Sequence, residues 1–172
     1  AIDLALHDRL GKRLGQPLYR ILGLEPKRAP LTSYTISIDT PEVMAEKARE
    51  CGLPVLKIKM GGGEEDEKAL AAIRSARPEA RIRVDANAGW SREQAAALIP
   101  RLAQYDIEFV EQPLAVGDVE GLRRLRSLKL GVPIFADENI LTARDVAAHI
   151  GAVDGVVIKL QKTGGIREAL RA

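Results

Sequence analysis

The sequence predicts an α/β protein of the (β/α)8-type TIM barrel class, and three observations carry that expectation. Five short apolar segments each end in a charged residue: Val55-Leu56-Lys57-Ile58-Lys59, Ile82-Arg83-Val84-Asp85, Phe109-Val110-Glu111, Ile134-Phe135-Ala136-Asp137 and Val156-Val157-Ile158-Lys159. The step from Lys59 to Asp85, Asp85 to Glu111 and Glu111 to Asp137 is 26 residues each time, and the last step, to Lys159, is 22. Apolar residues at helical spacing fill the intervals. A strand, a crossover helix and two loops need steps of this size. An open doubly wound sheet draws its site from the few strands where the order reverses, whereas five consecutive strand ends share one mouth only if the strands curve round it. About six βα units are present where a barrel has eight.

In chain order, residues 1–22 show apolar positions three and four apart, a helix interrupted near Gly15-Gln16-Pro17 and punctuated by Gly23. Asp8, Arg9, Lys12 and Arg13 form a solvated face, and His7 has no partner at metal-binding spacing. Glu25 to Leu31 is a proline-bearing connector, and Ser33 to Ile38 alternates as a strand. Thr40-Pro41-Glu42 opens the next helix, Thr40 as its cap and Pro41 at its first position. Gly61-Gly62-Gly63 lacks the Lys-Ser or Lys-Thr of a phosphate loop, and the acids that follow oppose an anion, so the run is a plain turn before a helix over 66–76. Ser91 caps a helix through Tyr105, in which Pro100 predicts a kink or early break. Helices over 119–128 and 142–150 precede strands over 132–137 and 156–159, and Ile166 starts a last helix. Residues 1–30 therefore read as a helical linker from a missing amino-terminal domain, and 31–172 as a partial barrel, strands one to six. The chain opens at Ala1 within a helical pattern and stops at Ala172 inside another, so both ends read as cuts.

Composition narrows the function classes. Of 172 residues, 46% are hydrophobic and 29% charged, which is ordinary for a globular protein. A net charge of +2 from 26 basic and 24 acidic residues, interspersed, offers neither a nucleic-acid stripe nor a polybasic membrane anchor. Cys51 is the single cysteine, which excludes an internal disulfide or a cysteine-rich zinc site. No apolar run reaches about 18 residues and no secretory segment is visible, so a cytoplasmic enzyme is expected.

The charged strand ends have a chemistry of their own. Lys57 and Lys59 share one face of their strand while Ile58 faces the helices. Two neighbouring ammonium groups in a partly dry cavity repel, lowering the pKa of at least one, which makes Lys59 a general base and Lys57 its tuning neighbour and a contact for a substrate carboxylate. Asp85, Glu111 and Asp137 are hard oxygen donors without His or Cys, a set suited to Mg2+, with Mn2+ as substitute. Asn87, Glu138 and Asn139 support them from behind. Asp106, Asp118, Asp145 and Asp154 fall off the strand ends as turn or helix-end residues. Two lysines flanking a metal-held carboxylate suit removal of the proton α to it and its return on the other face, which is racemisation or epimerisation. One active lysine alone would suit elimination or cycloisomerisation.

The whole chain resembles the enolase superfamily, muconate-lactonising-enzyme-like subgroup. The likeness runs from Asp3-Leu4-Ala5-Leu6-His7-Asp8 and Gly15-Gln16-Pro17-Leu18-Tyr19 through Lys57-Ile58-Lys59, Asp85-Ala86-Asn87, Glu111-Gln112-Pro113, Ala136-Asp137-Glu138 and Ile158-Lys159-Leu160 to Gly164-Gly165. It implies a modified TIM barrel in which Asp85, Glu111 and Asp137 ligate Mg2+ and Lys59 and Lys159, on opposite faces of the substrate, are the acid/base catalysts. Residues 32–38 with Thr40-Pro41-Glu42, and Lys159-Leu160-Gln161-Lys162-Thr163-Gly164-Gly165, are similar to dipeptide epimerases, the L-Ala-D/L-Glu type among them. Thr35 is then a substrate contact, the substrate a dipeptide or other small carboxylate, and the enzyme a homo-oligomeric isomerase. Asn139 stands where these enzymes commonly have Ser, and His7 where Trp is common. The parts that read the rest of the substrate fall outside this chain, which leaves o-succinylbenzoate synthase, N-acylamino-acid racemase and muconate cycloisomerase as alternatives.

Overall fold

The computed structural model describes residues 2–61, 63 and 65–172; Ala1, and the Gly62 and Glu64 of the expected glycine turn and acidic helix start, lie outside the described residues. The elements are helices α1 (Ile2–Leu14) and α2 (Leu18–Ile21), a 3-10 turn at Pro26–Arg28, then β1 (Ser33–Ile36), α3 (Pro41–Glu50), β2 (Val55–Lys59), α4 (Glu65–Ala76), β3 (Arg81–Asp85), α5 (Arg92–Ala103), β4 (Ile107–Glu111), α6 (Val119–Ser127), β5 (Ile134–Ala136), α7 (Ala143–Ala148), β6 (Gly155–Val156) and α8 (Ile166–Arg171). They form two compact units: Ala1–Leu31 with Ile140–Ala148 and Ile158–Ala172, and Thr32–Asn139 with His149–Val157. Among the described residues no helix is long and apolar enough to cross a membrane.

The larger unit holds one parallel sheet in the order β1-β2-β3-β4-β5-β6. Every strand pairs with its neighbours in sequence, and no reversal occurs. Helices α3 to α6 bury Met44, Leu70, Ile73, Ile99, Leu102, Leu122 and Leu125 in one cluster with Leu56, Ile58, Ile82, Val84, Val110 and Ile134 of the strands. Each such fully buried side chain contributes about 1.5–3 kcal/mol. Sequential parallel strands, each followed along the chain by a helix, are six βα units of a (β/α)8-type barrel, as the spacing predicts.

Local chemistry explains where the helices begin. Thr40 Oγ1 accepts the Val43 N–H with Pro41 at the first position of α3. Ser91 and Gln94 cap α5 reciprocally, and Asp118 accepts the Gly121 N–H to open α6. Of the two effects expected at Pro100 the break does not occur, since α5 runs past it to Ala103. Burial of Leu98, Ile99 and Leu102 outweighs the roughly 3 kcal/mol that a mid-helix proline costs.

The register sets up the mouth of the sheet. Lys59 aligns with Asp85, and Asp85 with Glu111. Between the Ile82–Ile107 and Val84–Val110 pairs the register shifts, so β4 carries one extra residue there, a bulge. The strand at 134–136 is shorter than expected, and β6 shorter still. Gly155 in β6 faces Phe135, whose ring would lie 2.4 Å from any added Cβ. The Val157 N–H bonds Ala136 O at 2.8 Å and pairing ends there. Lys159 is therefore not the last residue of a strand. It begins a turn, its carbonyl accepting the N–H groups of Lys162 and Thr163.

In the smaller unit, Asp3 of α1 accepts the Ile166 N–H at 2.8 Å and so caps α8, and Gly165 is required because a Cβ there would meet the Asp3 carboxylate.

Candidate active site

The carboxyl ends of β2, β3 and β4 and the segment after β5 bring most of the expected site residues together. Asp85 and Asp137 are 0% exposed and Glu111 2%. Lys57 Nζ lies 2.7 Å from Glu111 Oε1 and 2.8 Å from Asp85 Oδ2. Lys59 Nζ reaches the same Asp85 oxygen at 2.7 Å and Asn87 Oδ1 at 2.6 Å. Asn87 passes the contact on, its amide donating to Glu138 Oε1 at 3.3 Å while its own N–H donates to Asp85 Oδ1. Asn87 and Ala88 both have positive φ, backbone strain concentrated beside Asp85.

The electrostatics differ from the expectation for the lysine pair. Burial works to lower the Lys57 pKa, but hydrogen bonds to Asp85 and Glu111 outweigh it and raise Lys57 above the ordinary lysine value. Lys57, the expected tuning neighbour, is thus governed by its two carboxylate partners at 2.7 and 2.8 Å. Burial would also raise Asp85, yet its bonds from Lys57, Lys59 and the Asn87 N–H hold it below the usual carboxylate range. Burial pushes Glu111 up to about 7, the Lys57 bond opposing and the charges of Asp85 and Asp137 adding to the rise. Glu111 is thus repelled by both Asp85 and Asp137 in a dry place.

Such a site fits a hard cation. Its donors are all oxygens, they are buried, and Glu138 Oε2 is buried without a hydrogen-bond partner. Among the described residues no three acid, His or Cys side chains are already drawn round one point. The Lys57 ammonium instead bridges two of the carboxylates, a single positive charge where the donor set suits a divalent one.

Thr35 on β1 aligns with Lys57 and is exposed. Lys159 belongs to the other compact unit, half-buried at the start of its turn. His7 bonds the Asp3 carbonyl at 2.8 Å and serves α1. Asp106, Asp118, Asp145 and Asp154 sit at turns and helix starts, Asp118 capping α6 and Asp154 accepting the Ile134 N–H.

Two residues that sequence reasoning passed over stand behind the site. Gln112, 0% exposed with φ +40, bonds the Asp137 N–H through Oε1. His149, which in sequence lacks a partner, is buried with Nε2 2.8 Å from Asn139 Nδ2. The signal available in sequence was the Glu-Gln-Pro triplet, whose middle residue reads only as part of a turn.

A family described as "Enolase C-terminal domain-like" matches residues 42–172. The chain is 41% identical over 98% of its length to an L-Ala-D/L-Glu epimerase of Bacteroides thetaiotaomicron, covering 44% of that protein. It is 42% identical over 99% of its length to a hydrophobic dipeptide epimerase of Roseobacter litoralis, covering 52% of it. A crystal structure of a dipeptide epimerase from Enterococcus faecalis, complexed with Mg and the dipeptide L-Leu-L-Tyr, superposes with a TM-score of 0.90 at 42% identity, covering 99% of this chain and 50% of that one. The chain spans about half the length of the curated relatives it matches.

Proposed function

The chain belongs to the enolase C-terminal domain-like family, and from that premise we propose that it forms six of the eight βα units of a Mg2+-dependent dipeptide epimerase of the L-Ala-D/L-Glu type. The observation that carries the proposal is the trio of buried carboxylates on consecutive strand ends with the Lys59 amine bonded among them. Relatives named as dipeptide epimerases support the substrate class, and the Mg in the Enterococcus faecalis complex supports the metal.

Asp85, Glu111 and Asp137 would hold the cation, and their oxygen-only donor set favours Mg2+ with Mn2+ as substitute. When bound, the cation supplies positive charge for the enediolate that forms as the α-proton leaves. Asp85 and Asn87 hold the Lys59 amine by two short bonds, so its proton-carrying atom has a defined place. Lys59 takes the α-proton of one isomer and Lys159, assigned by its position in the chain just past β6, gives a proton back on the other face, the two exchanging roles for the other isomer. Lys57 stays charged, because its carboxylate partners raise its pKa, and acts as a fixed positive charge rather than a base. Thr35 is a substrate contact, Asn87 and Glu138 support Lys59 and Asp85, and Asn139 supports Asp137. The proposal extends to a cytoplasmic homo-oligomer.

Proton exchange in D2O tests it. Both isomers of a dipeptide should exchange their α-proton with the full protein. Lys59→Ala should abolish exchange from one isomer and Lys159→Ala from the other, each by about 100-fold or more. Exchange from both isomers surviving in both variants would reject the assignment, and net dehydration or lactone chemistry without epimer would reassign the reaction.

A further inference from the structure

Gln112 uses every hydrogen-bonding position of its side chain on the parts that carry the acids. Its Oε1 accepts the N–H of Asp137 at 2.9 Å and of Asn139 at 3.4 Å. Its Nε2 donates to Leu114 O and to Asn139 Oδ1, both at 2.9 Å. Its backbone is used as fully, N–H to Phe135 O and carbonyl to the Ala88 N–H, each at 2.8 Å. One residue thus joins the loop after Asp85, the end of β4 beside Glu111, and the segment that carries Asp137.

Backbone groups fix the orientation of the whole chain of bonds. Two N–H donors identify Gln112 Oε1, and the Gly117 N–H at 3.4 Å identifies Asn139 Oδ1. Asn139 Nδ2 is then a donor, so His149 must accept it through Nε2 and carry its proton on Nδ1. Gln112 is 0%, His149 5% and Asn139 9% exposed, so no solvent competes for these bonds. A surface turn residue would not need that enclosure, nor the left-handed backbone that Gln112 adopts at φ +40.

We propose that Gln112, braced through Asn139 by His149, is a positioning residue that sets the spacing of Asp85, Glu111 and Asp137 and thereby the affinity of the site for its divalent cation. The proposal rests on the reading of those three acids as metal ligands. Groups that orient metal ligands from behind change affinity by about 10–100-fold when removed.

Calorimetric titration of the full, metal-free protein with Mg2+, below the unfolding transition of each variant, is the test. Gln112→Leu keeps the volume and removes the four side-chain bonds, and should weaken Mg2+ binding about 10-fold or more. His149→Gln still offers Asn139 an acceptor and should bind Mg2+ as the unaltered protein does, whereas His149→Phe offers none and should bind more weakly. A folded Gln112→Leu with unaltered affinity overturns the proposal. Should Gln112→Leu not fold, the His149 pair decides, and equal affinities in the two overturn it. Asp137→Ala separates the two ideas. Loss of Mg2+ binding there with unaltered binding in the Gln112 and His149 variants rejects the positioning role alone, while unaltered binding in Asp137→Ala rejects the metal reading beneath it.

Discussion

The two ends of the parallel sheet use basic residues in opposite ways. At the amino-terminal end, Arg74 donates to the carbonyls of Ala80, Pro78, Tyr105 and Asp106 at 2.7–3.0 Å. Arg77 does the same for Ala48, Cys51 and Leu53, and Arg81 and Arg83 share Glu108. Their targets are mostly backbone groups that would otherwise end unpaired where helices turn back into strands. At the carboxyl-terminal end the bases are Lys57 and Lys59, and their partners are buried carboxylates. A guanidinium has five fixed donors and keeps its proton, whereas an ammonium is a movable point charge that can give its proton up. One end is built to stay as it is, and on the proposed mechanism the other exchanges protons.

A substitution at the carboxyl end should separate the proposed activity from stability. Glu111 is pushed up to about 7 by burial, with Asp85 and Asp137 adding repulsion, so its charge is a burden on the fold at neutral pH. Glu111→Gln removes that charge with little change of shape. We expect kcat/KM to fall by about 1,000-fold or more on the proposed mechanism, comparable to or beyond loss of a charge-stabilising donor. The urea midpoint near pH 7.5 should stay level or rise, because the charged acid disfavours the folded state once pH exceeds its ordinary value near 4.5. A clear drop in stability would show that Glu111 serves the fold instead.

The reverse experiment belongs to the amino end. Arg74→Met keeps the stem and strips the donors from five carbonyls, that of Arg77 at 3.5 Å among them. Some of these regain water, and the remainder should cost about 2–4 kcal/mol of unfolding free energy. Mg2+ affinity and kcat per folded molecule should remain within about two-fold, since additivity holds for sites without shared partners. A large loss of activity at equal folded fraction would erase the division between the ends.

This division also marks what could be read from the chain. The ladder of charges was legible because a parallel repeat puts one strand end every 26 residues and because apolar runs expose the charge that stops them. The caps at Thr40 and Ser91 were legible because capping is local. What escaped depends on partners far along the chain. The Lys57 pKa goes up because of Glu111, 54 residues away, whereas repulsion from Lys59 is all that its neighbourhood in sequence offers. Nothing in the sequence around Arg74 and Arg77 names the distant carbonyls they clamp, those of Tyr105 and Asp106 for one and of Ala48, Cys51 and Leu53 for the other. Gln112 reads as a turn residue before Pro113 until Asp137 and Asn139 fold against it. The end of β6 escaped because Gly155 and Val156 pair only as far as β5 allows.

The shared Glu108 at the amino end responds to pH. Burial would raise Glu108, but its bonds to Arg83 and Arg81 outweigh that and hold it below the ordinary glutamate value of 4.5. An acid depressed in the folded state contributes stability that is complete above its unfolded pKa and disappears as pH falls through its folded pKa. Glu108→Gln should therefore cost about 1 kcal/mol or less near pH 7, as half-exposed ion pairs do, and progressively less as the pH is lowered toward about 3. Urea unfolding of both proteins across that range reads the difference directly, urea being uncharged and leaving the pair unscreened. A difference that stays constant with pH would mean that Glu108 acts by packing and not by charge. Activity per folded molecule should be unchanged throughout, because the carboxylate that Arg81 and Arg83 share belongs to the end of the sheet that holds its charges rather than moving them.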